Sequence, residues 1–363
     1  MKMYPRLVID LEKLNHNTRF LVDKMKKNQL SITAITKLYG ADSRIISLFD
    51  TYSEIEYFGD SRVRNLMTYQ GSNKKKILIR IPMHSEVAEV VKYADISFNS
   101  EISTIRHLNE EAKRQGKKHQ ILIMIDFGDL REGFFEEADW MRAIAEIVKM
   151  PNIEIIGLGV NLMCYGGVIP DEVNLGKLVA CAQIVEKAFD LKLEMISGGN
   201  SSSLYLLGSE NESTLLPPGI TNLRIGDAFF TGESSLGTTF SEMHNDVFTL
   251  FAEIIELKEK PSYPIGKIDV DAFGKVPVFE DKGLRLKGIL AVGRQDIAFD
   301  GLYPDDDQLE IIGASSDHLL IDFTGSKRRY QVGDVVKFRL HYGAVLQAFT
   351  SKYVTKEYIE MTK

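Results

Sequence analysis

Eight short apolar runs, each followed by a longer stretch of mixed polarity, fill residues 31–230 and limit the possible folds more than any other feature of this chain. The runs are residues 32–35, 55–58, 77–81, 96–98, 121–125, 155–160, 193–196 and 223–225. Their lengths suit buried strands, and the intervening segments carry a helical period. In residues 101–116, Ile102, Ile105, Leu108 and Ala112 share one helical face, and Gly116 follows as a suitable C-terminal cap. Residues 140–148 and 175–189 read the same way. Alternating β and α units predict a parallel sheet, and eight strands are the number that closes a barrel. Periodicity alone leaves a doubly wound open sheet as the alternative.

A further run at residues 6–11 precedes the eight. A helix follows it, with Leu11, Leu14, Leu21, Val22 and Met25 on one face. This extra strand is expected to pair with a second domain. Beyond about Gly232 the texture changes, and residues 247–257, 288–292, 309–312, 318–323, 335–340 and 346–354 read as strands between Gly, Pro and Asp clusters. A length of 363 residues favours two domains. The expected fold class is therefore α/β: an N-terminal (β/α)8 TIM-type barrel over residues 1–235, followed by a C-terminal β-rich domain over residues 236–363.

No segment approaches the roughly 18 apolar residues of a membrane helix. The start, Met1-Lys2-Met3-Tyr4-Pro5, has no signal-peptide pattern, so a cytoplasmic location is expected. Two cysteines, Cys164 and Cys181, make neither a disulfide framework nor a zinc site. Net charge is −7, and the basic run Lys74-Lys75-Lys76 reads as a solvated loop, so neither nucleic acid nor an anionic membrane is expected as a partner.

In a β/α barrel, chemistry gathers just past the C-terminal ends of the strands. Those ends here carry Thr36-Lys37-Leu38-Tyr39-Gly40, Arg80, Asp126-Phe127-Gly128-Asp129-Leu130-Arg131, Asn161 with Cys164-Tyr165-Gly166-Gly167, Ser197-Gly198-Gly199-Asn200-Ser201-Ser202-Ser203, and Arg224-Ile225-Gly226-Asp227. Lys37 at the mouth of an apolar strand reads on its own as a surface residue, yet partial burial suits an imine-forming amine. The Gly-Gly-Asn-Ser-Ser-Ser stretch offers backbone N–H and hydroxyl donors to a phosphate, and the last two barrel loops often hold one. A lysine, a phosphate cradle and several arginines suggest a phosphorylated aldehyde cofactor.

These segments, with Gly293-Arg294-Gln295-Asp296 and Gly313-Ala314-Ser315-Ser316-Asp317-His318, resemble the alanine racemase family of pyridoxal-phosphate (PLP) enzymes over essentially the full length, and its ornithine racemase branch most closely. The resemblance implies an amino-acid racemase that uses PLP and acts on ornithine, lysine or another basic amino acid. Lys37 resembles the lysine that holds the cofactor covalently. Tyr39 and Ser201, beside Asn200 and Ser202, fall near its phosphate-binding residues, although the Tyr39 loop is two residues shorter. The backbone of Gly226 and Asp227 would complete the phosphate cup. Arg131, in Asp126-x-Gly128-x-x-Arg131-x-Gly133, falls on an arginine for the cofactor's phenolic oxygen and the substrate carboxylate. Arg224 falls on the arginine facing the pyridine nitrogen, and Asn161 stands where a histidine often packs near the ring.

Racemisation needs an acid/base on each face of Cα. Lys37 serves one face. In the family a tyrosine from the partner subunit, within Gly-Tyr-Ala-Asp-Gly, serves the other, and here Arg294 replaces it. Arginine is a poor base but binds a carboxylate well. Asp296, His318, Cys164 or another tyrosine remain as candidates, Asp296 and His318 being preferred, and Asp296 reads equally well as a turn residue. Asp317 matches an aspartate on a loop that reaches the partner's site, and the same segment reads as a hairpin turn. Tyr342 and Gln347 lie near a family tyrosine that touches phosphate, while the aligned position is Ala344. A head-to-tail homodimer follows from the resemblance. The alternatives are a decarboxylase of the same fold type, whose Cys-plus-acid pair and Glu-Pro-Gly-Arg motif are not evident; a metal-dependent aldolase or dehydratase; and a non-catalytic PLP carrier lacking the second domain.

Overall fold

A computed structural model describes residues 3–69, 71–208, 214–233 and 240–361. The expected domain boundary at residues 235/236, and the first two residues, lie outside the described residues. The chain divides into two compact units, Leu14–His244 and Met1–Lys13 with Asn245–Lys363.

The first unit is a closed barrel of eight parallel strands: β2 (Ser31–Ile35), β3 (Ile55–Asp60), β4 (Lys75–Leu78), β5 (Ile96–Asn99), β6 (His119–Ile125), β7 (Ile153–Val160), β8 (Met195–Asn200) and β9 (Asn222–Ile225). The open-sheet alternative is thereby excluded. Helices α1 (Leu11–Lys27), α2 (Ser43–Asp50), α3 (Val63–Leu66), α4 (Val87–Tyr93), α5 (Ile102–Arg114), α6 (Glu137–Ile147), α7 (Glu172–Phe189) and α8 (Ala228–Thr231) alternate with them, α1 beginning at the unit boundary. The central residues of the strands are largely apolar because helices cover one face and the barrel interior the other. Ile121, Leu122, Ile123 and Met124 are all fully buried. Ile77, Ile96, Phe98, Leu122, Met124, Ile156 and Met195 form one apolar cluster, in which truncating Leu122 to Ala costs about 2–5 kcal/mol. Gly116 follows α5 with φ +68°, and Gly116 N–H donates to Lys113 O, so the expected C-terminal glycine ends the helix.

The second unit holds an eight-stranded sheet. β1 (Arg6–Asp10) pairs with β10 (Phe248–Pro261) and with β16 (Thr355–Ile359), so the extra strand belongs here. The sheet continues through β11 (Leu284–Leu290), β12 (Leu302–Pro304), β13 (Glu310–Ala314), β14 (Leu319–Asp322) and β15 (Val335–Leu340) in the order β12-β15-β10-β11-β14-β13. These strands alternate as half-buried strands should: Leu250, Ala252 and Ile254 are buried, while Phe251 and Glu253 are only partly so.

Three sequence expectations are corrected. Residues 346–354 are not a strand: helix α9 (Tyr342–Thr350) occupies most of them, burying Ala344, Val345 and Ala348. That one-and-four spacing and the alanine content favour a helix over the apolar look of the segment. Ser197-Gly198-Gly199-Asn200 is not a loop but part of β8, pairing Ser197 with Asn222 and Asn200 with Arg224. A side chain at Gly198 would meet Ile220 at 2.7 Å, so the glycine is demanded by packing within the strand. The basic run is no solvated loop either, because Lys75 and Lys76 open β4. Lys74 Nζ donates to Tyr52 O and Ile55 O, each at 2.7 Å, and burial pushes its pKa down. Among the described residues no helix is long and apolar enough to cross a membrane.

Candidate active site

The C-terminal ends of the barrel strands bring together most of the polar residues singled out above. Lys37, half-buried, opens a single 3-10 turn directly after β2. Thr36 before it is buried, with Oγ1 2.5 Å from Asp60 Oδ2 and in contact with the Tyr69 hydroxyl. Asp60 ends β3 and also accepts from Arg62 N (2.8 Å) and from Asn65 Nδ2 (3.1 Å). Burial raises the Asp60 pKa, while Thr36, Asn65, Arg62 and the nearby Lys37 charge oppose that shift. The sequence reading missed Thr36, Asp60 and Tyr69 as a group, because they lie on different β/α units. An acid at a strand end was the available signal.

The β6 loop explains its own spacing. Asp126 Oδ1 accepts from Gly128 N (2.8 Å) and Leu130 N (3.2 Å), and Gly128 takes φ +104°. The chain then returns, Phe134 N donating to Met124 O and Asp126 N to Phe134 O. Gly133 passes so close that a Cβ would lie 2.5 Å from Asp126 N, and its φ is +133°. Arg131, on this loop, is exposed and turns its guanidinium onto Glu132, with Nη2–Oε1 at 2.6 Å. Glu132, unremarked in the sequence, also accepts from Asn161 Nδ2 at 3.0 Å. Asp129 is fully buried and takes N–H bonds from Cys164, Tyr165 and Val168. These backbone donors outweigh the opposing desolvation and lower its pKa, and they pin the β7 loop across the mouth.

Arg224 is buried at the centre of this arrangement. Nη1 donates to Ser197 Oγ (2.7 Å), Nη2 to Val160 O (2.8 Å) and Asn161 Oδ1 (3.2 Å), and the Phe98 ring lies 5.3 Å away. Desolvation pushes its pKa down to about 10, so it stays charged at neutral pH. Asn161 Oδ1 also takes bonds from Asn200 Nδ2 (3.2 Å) and Cys164 Sγ (3.3 Å). Asn200 therefore bridges to the β7 loop, and its own Oδ1 caps the following 3-10 turn at Ser202 N.

Residues 201–207 form that turn, and the residues present there fit a phosphate. Among the described residues, Ser202 Oγ and Tyr39 Oη are buried polar atoms with no protein partner. A buried hydroxyl without a partner costs about 1–3 kcal/mol, which an anionic ligand would offset. Ser201 Oγ accepts from Gly226 N (3.1 Å), leaving its own proton to give. Gly226 packs against Ile35, two residues before Lys37; a Cβ there would lie 3.3 Å from Ile35 Cβ. Asp227 caps the short α8, its carbonyl accepting from Phe230 and Thr231. Arg80 does not join this group: its guanidinium bonds Ser61 O, Ile81 O and Glu86.

Arg294, Asp296, Asp317 and His318 belong to the other unit. The two motif segments there lie side by side: Arg294 N donates to Ser315 O (2.8 Å) and Gln295 N to Ser316 O (3.0 Å). A Cβ on Gly293 would come 2.4 Å from Asp317 N, which explains the glycine. Ser315-Ser316-Asp317-His318 is the hairpin turn between β13 and β14, closed by Ser315 N to His318 O. Asp317 is exposed and His318 half-buried, with Oδ1–Nδ1 at 2.8 Å, and this bond lowers the Asp317 pKa. Arg294 donates from Nε to Ala314 O and stacks on Phe273 and Phe299 at 4.5 and 4.6 Å. Asp296 is buried and accepts from Ser351 Oγ at 2.7 Å, an anchoring position within its own unit. Gln347 Nε2 donates to Arg294 O, and Ala344 is buried.

Comparison with known proteins identifies the family. The family model for the alanine racemase N-terminal domain matches residues 9–223. The chain is 49% identical to an ornithine racemase of Acetoanaerobium sticklandii, over 98% of this chain and 99% of that one. It is 36% identical to a lysine racemase of Thermotoga maritima, over 98% and 99% respectively. An alanine racemase of Bartonella henselae, solved with covalently bound pyridoxal phosphate, shares the fold at a TM-score of 0.73 and 17% identity, covering 99% of this chain and 100% of that one. The chain belongs to the alanine racemase family.

Proposed function

We propose that the chain is a PLP-dependent racemase that interconverts the L and D forms of a basic amino acid, ornithine or lysine. The observation that carries the cofactor is the pair of buried, unpartnered hydroxyls at Tyr39 and Ser202, in a barrel mouth that also holds half-buried Lys37 and buried Arg224. The substrate class comes from the ornithine and lysine racemases that the chain matches over its length.

Bound PLP supplies an electron sink that makes the substrate Cα–H acidic. Lys37 would hold the cofactor covalently and move the proton at Cα on its face. Ser201, Ser202 and Tyr39 would hold the phosphate, with the Gly226-Asp227 backbone beside them. Arg224, facing the ring nitrogen, already carries its proton and cannot accept another, so it would keep that nitrogen unprotonated and disfavour transamination. Arg131 would bind the substrate carboxylate, leaving Glu132 as an acid for a side-chain ammonium.

A head-to-tail homodimer is part of the proposal. Ile265, Val276 and Val278 are 91%, 70% and 95% exposed in the connection between β10 and β11, apolar side chains that a partner subunit could cover. In such a dimer the Arg294–Asp317–His318 group would face the partner's barrel.

The test is incubation of the PLP-loaded protein with L-ornithine in deuterated water, followed by chiral chromatography and mass spectrometry. D-ornithine labelled at Cα is the expected product. PLP binding without exchange from ornithine, lysine or arginine would contradict a basic-amino-acid racemase and favour a carrier.

A further inference from the structure

Resting on the racemase reading, the barrel mouth itself points to the group opposite Lys37. A second acid/base must hold a transferable proton and touch the residues that surround the substrate. Most acids around the mouth are already committed as acceptors. Asp60 is held by Thr36, Arg62 N and Asn65. Asp126 and Asp129 each accept several backbone N–H bonds. Glu132 is held by Arg131 and Asn161. The Tyr39 and Tyr69 phenols are buried, which pushes both pKa values well up. Tyr165 is 77% exposed.

Cys164 differs from the acids and buried phenols in holding an accessible proton, and from Tyr165 in bonding Asn161 and Asn200 through its side chain. Its thiol is exposed, gives its proton to Asn161 Oδ1 at 3.3 Å and accepts from Asn200 Nδ2 at 3.4 Å. The same Asn161 oxygen receives Arg224, so the sulfur is one residue removed from the buried guanidinium. The two amides thus hold the sulfur in place at the mouth, one as acceptor and one as donor. Cys164 follows β7, three strands from β2 around the ring of eight, so it reaches the mouth from across the barrel relative to Lys37.

We propose that the Cys164 thiol is the proton-transfer group that serves the face of the substrate Cα opposite Lys37. In one direction the Lys37 amine takes the Cα proton and the Cys164 S–H gives its proton to the other face. Lysine is left as ammonium and sulfur as thiolate, and exchange with water resets both. In the other direction the thiolate takes the proton and the Lys37 ammonium returns one. A thiol carries a proton it can transfer, whereas the guanidinium at position 294 is a poor base.

The experiment compares PLP-loaded wild-type, Cys164→Ala, Cys164→Ser and Tyr165→Phe proteins on each ornithine enantiomer in deuterated water. Racemisation by both Cys164 variants is expected to fall at least ~10²-fold, as for loss of a positioned acid/base. One enantiomer, the substrate of Lys37, should still exchange its Cα proton with retention of configuration, and Tyr165→Phe should racemise normally. In addition, L-ornithine should slow iodoacetamide alkylation of Cys164 in the loaded wild-type protein, read by peptide mass spectrometry. Wild-type racemisation by Cys164→Ala, equal loss of exchange from both enantiomers, or alkylation indifferent to ornithine would overturn the assignment. Wild-type protein that exchanges neither enantiomer would instead overturn the racemase reading itself, and this proposal with it.

Discussion

The barrel mouth and the β13–β14 turn both carry candidate site residues, but they hold them differently. At the mouth, Arg224 is buried on three acceptors, Asp129 is fully buried under three N–H donors, and two hydroxyls are buried with no partner. At the turn, Asp317 and His318 bond mainly to each other and to neighbouring serines, in the open. The first arrangement is built at the expense of folding stability and makes sense around a ligand. The second costs the fold little and makes sense if something else comes to it. Substitutions should therefore damage the mouth through stability and cofactor binding, and the turn through turnover alone.

The largest effect is expected at Arg224. Arg224→Ala removes the guanidinium donors to Ser197 Oγ and Val160 O and one of the three donors to Asn161 Oδ1, and should cost about 3 kcal/mol of stability, seen in urea unfolding, together with roughly a thousandfold of racemisation. Arg224→Glu should raise transamination relative to racemisation, measured as pyruvate-type keto-acid and pyridoxamine phosphate formation; an unchanged ratio would contradict the role given to the charged guanidinium.

A buried histidine elsewhere in the barrel gives a pH-dependent effect. His119 is buried in β6 against Ser97 Oγ at 2.8 Å, and burial pushes its pKa down to about 4. The folded value lies below the ordinary 6.5, so the unfolded chain takes up a proton first as pH falls. Stability is full above pH 6.5 and is lost toward pH 4, by about 3 kcal/mol. His119→Gln should flatten that part of the stability–pH curve, measured by urea unfolding at a series of pH values.

Ser202→Ala reverses the usual sign. Removing a buried hydroxyl with no partner should stabilise the cofactor-free protein by about 1 kcal/mol while weakening PLP binding roughly tenfold, checked by thermal unfolding and PLP titration. The smallest stability effect belongs to Asp317→Asn, expected within about 0.5 kcal/mol of wild type, with any loss confined to turnover.

The two regions also differed in how legible they were. The eight barrel strands could be read because each is a compact apolar run, and Lys37, Arg224 and the serines could be placed because active sites follow strand ends. Contacts between neighbouring β/α units could not be read: Thr36 with Asp60, and Glu132 with Asn161, depend on which side chains of adjacent strand ends meet. In β8, Ser197-Gly198-Gly199-Asn200 looks like a turn, since the small residues that let a strand pack against Ile220 are also turn formers. Helix α9 was missed for the opposite reason, a short apolar segment whose period fits either state. The motif segments of the second unit were found by resemblance, and the structure adds that residues 293–295 and 315–316 are hydrogen-bonded neighbours.

The central claim is that Lys37 carries the cofactor in this barrel mouth. The visible absorption spectrum of purified protein with PLP, wild type beside Lys37→Ala, tests it most directly. A band of covalently bound cofactor present in the wild type and absent from Lys37→Ala, with the variant still folded by circular dichroism, is the predicted result. The same band in both proteins would contradict the account.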